Sequence, residues 1–181
     1  MLFRSSKLAA EGYVQAYAAA YKVPTTLLRF FNVFGPRQRP DHEYAAVLPK
    51  WIWLAMQGKP IDVYGDGSAS RDFTYVDTVL DIAMNAMKEK VITEGAMNLA
   101  YGNRIYLRDT TEMLKKHFPD LQVNYTAERL GDVKESQNDP VLLKKLFPKV
   151  QPKPFEAALS ETVEWLKEFG PSVANGPATS D

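Results

Sequence analysis

The sequence of 181 residues contains no cysteine and only two histidines, His42 and His117. Without cysteine the chain cannot form disulfide bonds, thiolate nucleophiles or cysteine-ligated metal sites, and two histidines far apart in sequence indicate no histidine cluster. An excess of either charge is also missing, since 22 Lys and Arg residues balance 22 Asp and Glu residues. We therefore predict neither a metal site nor a nucleic-acid partner.

Long apolar runs are equally absent from the sequence. None approaches the ~18 residues that a membrane-spanning helix requires, and Met1 leads directly into a charged segment instead of a signal peptide. We therefore expect a cytoplasmic protein without membrane contact. Hydrophobic residues still make up 45% of the chain, which is enough for one sizeable core.

Helical and strand patterns alternate along the chain, and this alternation predicts an α/β fold. Helices are predicted over residues 5–21, 44–57, 76–88, 107–117, 140–147 and 155–169. Strands are predicted over residues 25–31, 61–64, 96–100 and 121–125. Residues 171–181 are rich in Pro, Gly, Ala and Ser with little to bury, so we predict a disordered tail.

A glycine-rich turn of the G-x-G-x-x-G kind, which binds the phosphates of a dinucleotide, does not occur in the sequence. The nearest candidate, Gly65-Asp66-Gly67, leads into a Ser-Ala-Ser-Arg stretch and is not predicted to open a helix. The chain by itself therefore has no recognisable dinucleotide phosphate site.

Four blocks of sequence closely resemble the second half of the extended short-chain dehydrogenase/reductases. The blocks are SKLAAEGYVQAYAAAYKVPTTLLRFFNVFGPRQ (6–38), IDVYGDGSASRDFTYVDTV (61–79), EGAMNLAYGN (94–103) and ERLGDVKES (128–136). Within that group the chain resembles the NAD-dependent epimerase/dehydratase family, and most of all its UDP-sugar 4-epimerases. The resemblance extends from Phe3 to Phe169.

This resemblance implies that the chain is the C-terminal part of such an enzyme. Residues 1–35 and 71–102 would belong to the Rossmann-type sheet, and residues 36–70 and 103–170 to a small α/β substrate-binding domain. The preceding nucleotide-binding half is expected to be missing. A truncated gene, a misassigned start, an expressed fragment and a remnant with another use all fit this expectation.

The first helix is where the resemblance implies both catalysis and cofactor binding. In the family it carries Tyr-x-x-x-Lys, in which the tyrosine exchanges a hydroxyl proton during hydride transfer. The lysine binds the nicotinamide ribose of NAD and lowers the tyrosine pKa. Lys7 matches the lysine, but Phe3 stands at the tyrosine position and has no hydroxyl. We expect the isolated chain to be inactive and not to bind NAD.

A UDP-sugar presents a diphosphate, a ribose and a flat uracil ring, so its site needs cationic forks, a hydrogen-bond acceptor and an aromatic or apolar wall. The resemblance assigns Arg71 and Arg129 to the diphosphate, and Asp132 to the ribose hydroxyls. The alternatives are that both arginines lie in solvated loops and that Asp132 stabilises a turn.

Three further substrate-binding positions are implied by the resemblance. Tyr64 would lie against the uracil, although an aromatic residue that ends a strand is more often part of the core. Asn32 follows a predicted strand, at the end where ligands bind in open α/β sheets, and would contact the phosphate or the sugar; alternatively it caps its own loop. Val47 would line the nucleotide, and its alternative is plain core packing.

Other conspicuous residues are interpreted as structural. Asp72 and Asp77 flank Phe-Thr-Tyr and are expected to secure the turn and to cap the helix that begins near residue 76. Large apolar residues on a helix are usually core, so we interpret the tryptophans as packing residues: Trp51, Trp53 and Trp165.

Two functions of different classes fit the residues. The first is an enzyme, a UDP-sugar 4-epimerase that oxidises the sugar at carbon four with NAD and returns hydride to the other face. Its substrate is expected to be a UDP-N-acetylhexosamine, with UDP-glucuronate 4-epimerases and sugar-nucleotide dehydratases as the next choices. The second is a non-catalytic module that binds a nucleotide sugar or forms dimers. In both, the resemblance implies a homodimer through the helix that carries Lys7.

Overall fold

The computed structural model describes residues 2–41, 45–128 and 131–174, in which helices and strands alternate. Its helices are α1 (Leu2–Tyr21), α2 (Val47–Met56), α3 (Val76–Glu89), α4 (Leu107–His117), α5 (Val141–Leu146) and α6 (Phe155–Ala174). Its strands are β1 (Leu27–Phe30), β2 (Val33–Phe34), β3 (Ile61–Tyr64), β4 (Ser70–Arg71), β5 (Thr74–Tyr75), β6 (Ala96–Leu99), β7 (Ile105–Tyr106), β8 (Val123–Thr126) and β9 (Glu135–Ser136). The predicted α/β class is confirmed.

The longer strands pair in parallel, as an α/β layout requires. β1 pairs with β6, with Leu27 opposite Ala96 and Phe30 opposite Leu99. β3 pairs with β8, and the short β2 pairs with β5. The predicted helices and the four predicted strands are all present, with small shifts at their ends.

The two-residue strands were not predicted, because alternation over two residues carries no sequence signal. They are important for the site, since β4 lies between β7 and β9 in a three-stranded sheet. β4 runs parallel to β9, with Ser70 opposite Glu135 and Arg71 opposite Ser136. This pairing brings the loop after β8 alongside the strand that carries Arg71.

Two expectations about helix ends are wrong. Helix α6 continues through Ala174, so the first four residues of the predicted disordered tail are helical. Gly170, which directly follows the predicted helix of residues 155–169, is buried, and a Cβ there would lie 3.1 Å from the Trp53 ring. Asp77 does not cap α3: the N-cap residue is Tyr75, without a side-chain capping bond, and Asp77 lies in the first turn. A carboxylate in that turn still interacts favourably with the helix dipole.

The core consists of two clusters of buried residues. The first joins α2, β3, β5, α4 and α6, and its fully buried members include Leu48, Ile52, Ile61, Val63, Leu114, Leu159 and Leu166. The second joins α3, β6 and α5, with Ile82, Leu99 and Leu143 fully buried. Trp51 is buried in the first cluster, and its indole Nε1 donates to the Asp62 carbonyl over 3.2 Å.

Helix α1 differs from the other long elements because its side chains are mostly exposed. One turn after Lys7, Glu11 pairs with Arg29 of β1: Arg29 Nε donates to Glu11 Oε2 over 2.9 Å and Nη2 donates to Oε1 over 2.7 Å. This bidentate pair ties the helix to the strand. Among the described residues, no helix is long and apolar enough to cross a membrane.

Candidate functional site

The site begins at the end of β3, where the strand alternation sorts its side chains. Ile61 and Val63 are fully buried in the first core, and Tyr64 therefore points outward with 42% of its surface exposed. The turn that follows is tight, because Gly65 and Gly67 both have positive φ angles, +72° and +75°. Gly67 has no room for a side chain either, since a Cβ there would lie 3.0 Å from Arg108 Cβ.

A pocket of about 370 Å³, part of it open to solvent, lies beside this turn. Two separate stretches of chain form its walls. One is the end of β3 with the turn that follows it, and the other is the loop that connects β8 to β9. The lining residues are Tyr64, Gly65, Asp66, Ser68, Ala69, Glu128, Asp132, Val133 and Lys134.

Arg71 is not itself a lining residue of this pocket, but its side chain binds the wall formed by Asp132 and Val133. Its Nη1 donates to the Val133 carbonyl over 2.7 Å and to the Ser70 carbonyl over 2.9 Å. Its Nη2 donates to Asp132 Oδ1 over 3.3 Å. The Arg71 side chain is only 15% exposed, whereas Asp132 is 46% exposed. The cation is therefore held in place, and the carboxylate remains open to a ligand.

A second ion pair spans the rim of the pocket. Lys134 Nζ lies 3.3 Å from Glu128 Oε1, and both side chains are largely exposed. Residues 129–130 between them, and with them the predicted diphosphate contact Arg129, lie outside the described residues. Sequence reasoning missed Glu128 and Lys134 as site residues, although both lie in the ERLGDVKES block, because nothing in the block shows that they pair.

Asp72 is fully buried behind Arg71. Its carboxylate accepts backbone N–H bonds from Gly102 over 2.8 Å, Asn103 over 3.0 Å and Asn138 over 3.1 Å. Burial raises the pKa of Asp72, although these backbone N–H groups act in the opposite direction. The expectation that Asp72 secures its own turn was too narrow, because the residue joins segments that are remote in sequence.

The remaining predicted substrate contacts do not line the pocket in the described part of the chain. Asn32 has a positive φ angle of 32°, and its side-chain amide donates to the Asp72 carbonyl over 3.4 Å. Its own carbonyl accepts from the Thr74 backbone N–H. Val47, at the start of α2, packs against the first core. Asn32 is thus connected to the site through Asp72. Val47 is partly buried against the first core, and its contact with a nucleotide stays a prediction.

Lys7 lines a different and larger cleft, between α1 and the β1–β6 pair. Its volume is about 1430 Å³ including the part open to solvent, and it is bounded by Lys7, Leu8, Glu11, Arg29, Phe30 and Ala96, among others. Phe3 lies four residues before Lys7 in α1, which is about one helical turn. The predicted nucleotide contacts Tyr64 and Asp132 and the predicted cofactor contact Lys7 therefore lie at two separate recesses.

A model of the NAD dependent epimerase/dehydratase family matches residues 2–100 of this sequence. The chain belongs to this family. The match includes the helix with Lys7, the β1–β6 pair and the Arg-Asp-Phe-Thr-Tyr segment. As an epimerase/dehydratase family member it is related to proteins that depend on NAD.

Individual relatives agree with the family assignment. A probable UDP-glucuronate 4-epimerase of Rhizobium meliloti is 37% identical over 68% of this chain and 33% of its own length. The UDP-N-acetylglucosamine 4-epimerase of Methanobrevibacter ruminantium, solved with UDP-N-acetylmuramic acid, superimposes with a TM-score of 0.82 at 34% identity, over 91% of this chain and 53% of its own. A UDP-glucose 4-epimerase of Thermotoga maritima, solved with UDP-glucose, gives a TM-score of 0.80 at 30% identity, over 90% of this chain and 52% of its own. The chain spans about half or less of these relatives.

The described residues of this epimerase/dehydratase chain fit NAD only at its nicotinamide ribose and not at its phosphates. Lys7 lines the cleft beside β1, where it could meet a ribose hydroxyl. Within the described ranges, the turn with Gly65 and Gly67 leads from β3 into β4 and does not open a helix. A cradle for the dinucleotide phosphates, which needs backbone N–H groups at a helix start, is therefore not supplied by these residues.

Metal ligands do not cluster in the part of the chain that the structure describes, where no group of three or more suitable side chains occurs. His117 Nε2 lies 3.1 Å from Ser160 Oγ at the surface between α4 and α6. His42 lies outside the described residues. His117 therefore has a local structural partner, as expected for a residue without a catalytic role.

Proposed function

We propose that this chain is the nucleotide-sugar-binding part of an NAD-dependent nucleotide-sugar 4-epimerase. The observation that carries the proposal is that Tyr64 and Asp132 line one recess and that Arg71 is hydrogen-bonded to Asp132 in its wall. An aromatic face, a cationic fork and an exposed carboxylate are the three groups that a UDP-sugar requires. The relatives whose names include a UDP-sugar support the same class of ligand.

The geometry gives each of these residues a chemical role. Arg71 has five N–H donors, and within the described residues three of them are used by Ser70, Asp132 and Val133. Two are left for the oxygens of a diphosphate. Asp132 can accept hydrogen bonds from the ribose hydroxyls, and Tyr64 offers an exposed ring for the uracil.

Among the possible sugars we favour a UDP-N-acetylhexosamine, with UDP-glucuronate as the next choice. A second function, nucleotide-sugar binding without chemistry, is favoured by one observation: Phe3 has no hydroxyl at the position four residues before Lys7. The two functions share the same UDP site and differ in what happens at Lys7.

Titration of the 181-residue chain with UDP tests this site directly. We expect binding with a dissociation constant of about 10⁻⁶–10⁻³ M that weakens as salt is added, because the diphosphate contact is ionic. NAD serves as the control ligand, and we expect no binding at the same concentrations. Absence of UDP binding to the folded chain, or binding of NAD equal to that of UDP, would overturn the proposal.

The exposed face of α1 leads us to propose that the chain self-associates as a dimer through this helix. Three tyrosines at successive four-residue steps on α1 are between 63% and 74% exposed: Tyr13, Tyr17 and Tyr21. A patch of this kind is unusual on a monomer and is typical of an interface. A symmetric dimer would bury the same face of both copies.

Light scattering checks the dimer. The parent chain should have at least twice the monomer mass, and Tyr13→Lys combined with Tyr17→Lys should shift it toward monomer, because two charges would be buried at the contact. Met87→Lys is the matched control: Met87 is 66% exposed, but it lies on α3. A monodisperse parent monomer, or an equal effect of the α3 variant, would contradict an interface on α1.

A further inference from the structure

One wall of the nucleotide pocket is lined by Asp132, Val133 and Lys134. They belong to a segment, residues 131–138, that β4 and its continuation hold at several points. Ser70 N–H donates to the Lys134 carbonyl over 2.9 Å. Arg71 donates to Asp132 and to the Val133 carbonyl. One residue further on, Asp72 accepts the backbone N–H of Asn138. Consecutive residues of β4 and its continuation thus hold both ends of this segment.

Asn138 attaches the same segment to the other half of the structure. Its side-chain amide donates to the Ala100 carbonyl over 3.1 Å, and its Oδ1 accepts from Asn98 Nδ2 over 3.1 Å. Gln137 also donates to the Gly102 carbonyl over 2.8 Å. Because Asp72 binds Gly102 and Asn103 as well, one buried carboxylate holds the loop after β6 and the pocket wall together.

Asp72 is not among the lining residues of the pocket. Its side chain is turned into the protein with no exposed surface. Hydrogen bonds to a carboxylate are shorter and about twice as strong as neutral ones. The contact between Asp72 and Asn138 N spans 66 residues of sequence, so it constrains the wall far more than any local turn could.

We propose that Asp72 is a positioning residue for nucleotide binding. Through Asn138 it fixes the segment that carries Asp132, and it directly follows Arg71 in the chain, so that the cation and the carboxylate meet a diphosphate and its ribose at the correct separation. Asn138 is the second member of this positioning pair. The inference rests on the proposed function, since its consequence is measured as UDP affinity.

Asp72→Asn tests the role with the least change in shape. Asparagine keeps one acceptor oxygen, but its amide group would face a backbone N–H and leave it without an acceptor. We expect UDP affinity to fall about tenfold, within the range of couplings measured between groups of one network. If Asp72→Asn does not fold, Asn138→Ala keeps the carboxylate and removes the bonds to Asn98 and Ala100; we expect an affinity loss of about threefold.

A loss of UDP affinity that comes from general destabilisation must be distinguished from a loss that comes from misplaced binding groups. An Ile82 variant, Val or Ala, whose melting temperature matches that of Asp72→Asn serves as the control, because Ile82 is fully buried in the second core. It should bind UDP as the parent does when both are folded. The second readout is a double-mutant cycle with Arg71→Lys, which has no guanidinium fork to position. In that background the loss of UDP affinity caused by Asp72→Asn should shrink to about threefold or less.

The outcomes distinguish the two ideas. If the parent chain binds UDP and Asp72→Asn binds it equally well, this inference fails and the proposed function stands. An affinity loss that is fully additive with Arg71→Lys, or is reproduced by the Ile82 control, also overturns the positioning role. If the folded parent does not bind UDP, the proposed function fails, and the positioning role fails with it.

Discussion

Replacing Phe3 by Tyr should raise the turnover of a fused epimerase by about 100-fold or more, because a positioned general acid-base group contributes about 10²–10⁴-fold. The fusion joins the N-terminal half of a related enzyme, such as the Methanobrevibacter ruminantium epimerase, to this chain. Phe3 and Lys7 both lie in α1, four residues apart, so a tyrosine at position 3 would be one turn from the lysine. Turnover of UDP-N-acetylglucosamine by both fusions is the measurement.

Two controls make the result specific to this position. Ala19→Tyr adds the same hydroxyl to the same helix at an exposed site that does not line the cleft, about three turns from Lys7, and should leave turnover at the level of the unsubstituted fusion. Lys7→Met in the Phe3→Tyr fusion should remove most of the gain, because the resemblance assigns to Lys7 both the ribose contact and the lowering of the tyrosine pKa. Equal rates for the unsubstituted fusion and the Phe3→Tyr fusion would show that the assigned catalytic register is wrong.

Arg71→Ala should weaken UDP binding by about 10- to 150-fold, the equivalent of the ~1.5–3 kcal/mol that hydrogen bonds to charged groups contribute. The loss has two physical sources. The diphosphate loses a cationic fork, and Asp132 and Val133 lose the guanidinium that holds them. Arg71→Lys should give an intermediate loss, since an ammonium keeps the charge but not the planar fork. Calorimetry with UDP on folded variants is the measurement.

Arg104→Ala is the matched control for this prediction. Arg104 Nη2 lies 3.3 Å from Glu135 Oε2 and 3.0 Å from Gln137 Oε1, so it contacts the same wall from outside the pocket. Its side chain is 45% exposed, and exposed ion pairs contribute little. We expect its UDP affinity to stay within about twofold of the parent. A similar loss in both variants, or none in Arg71→Ala, would remove Arg71 from the diphosphate site.

The elements of the fold were largely predictable because their signals are local. Apolar residues at helical spacing predicted α3 and α4 within a residue or two of their observed ends. The end of α6 was not predictable in this way. Gly170 favours a break when only its neighbours are considered, but its packing against Trp53 allows the helix to continue.

The site was predictable only in its chemistry. Arg71, Asp132 and Tyr64 were identified from the blocks that resemble the epimerases. Tyr64 and Asp132 line one recess, and Arg71 donates to Asp132 in its wall; their contacts with a UDP-sugar stay a prediction. The same reasoning placed Val47 at the nucleotide. The structure shows that Val47 is partly buried against the first core, and its nucleotide contact stays a prediction as well.

The sequence by itself determined the family, the alternation of helices and strands, and which residue types could bind a nucleotide sugar. Only the tertiary structure decided which polar groups meet. Asp72 reaches Asn138 across 66 residues, and Arg71 reaches Val133 across 62, because β4 pairs with β9 in one particular register. The periodicity of buried residues is encoded within a few neighbouring positions. The hydrogen-bond partner of a buried carboxylate is instead set by strand pairing between distant segments. When the paired strands are only two residues long, they leave no pattern in the sequence.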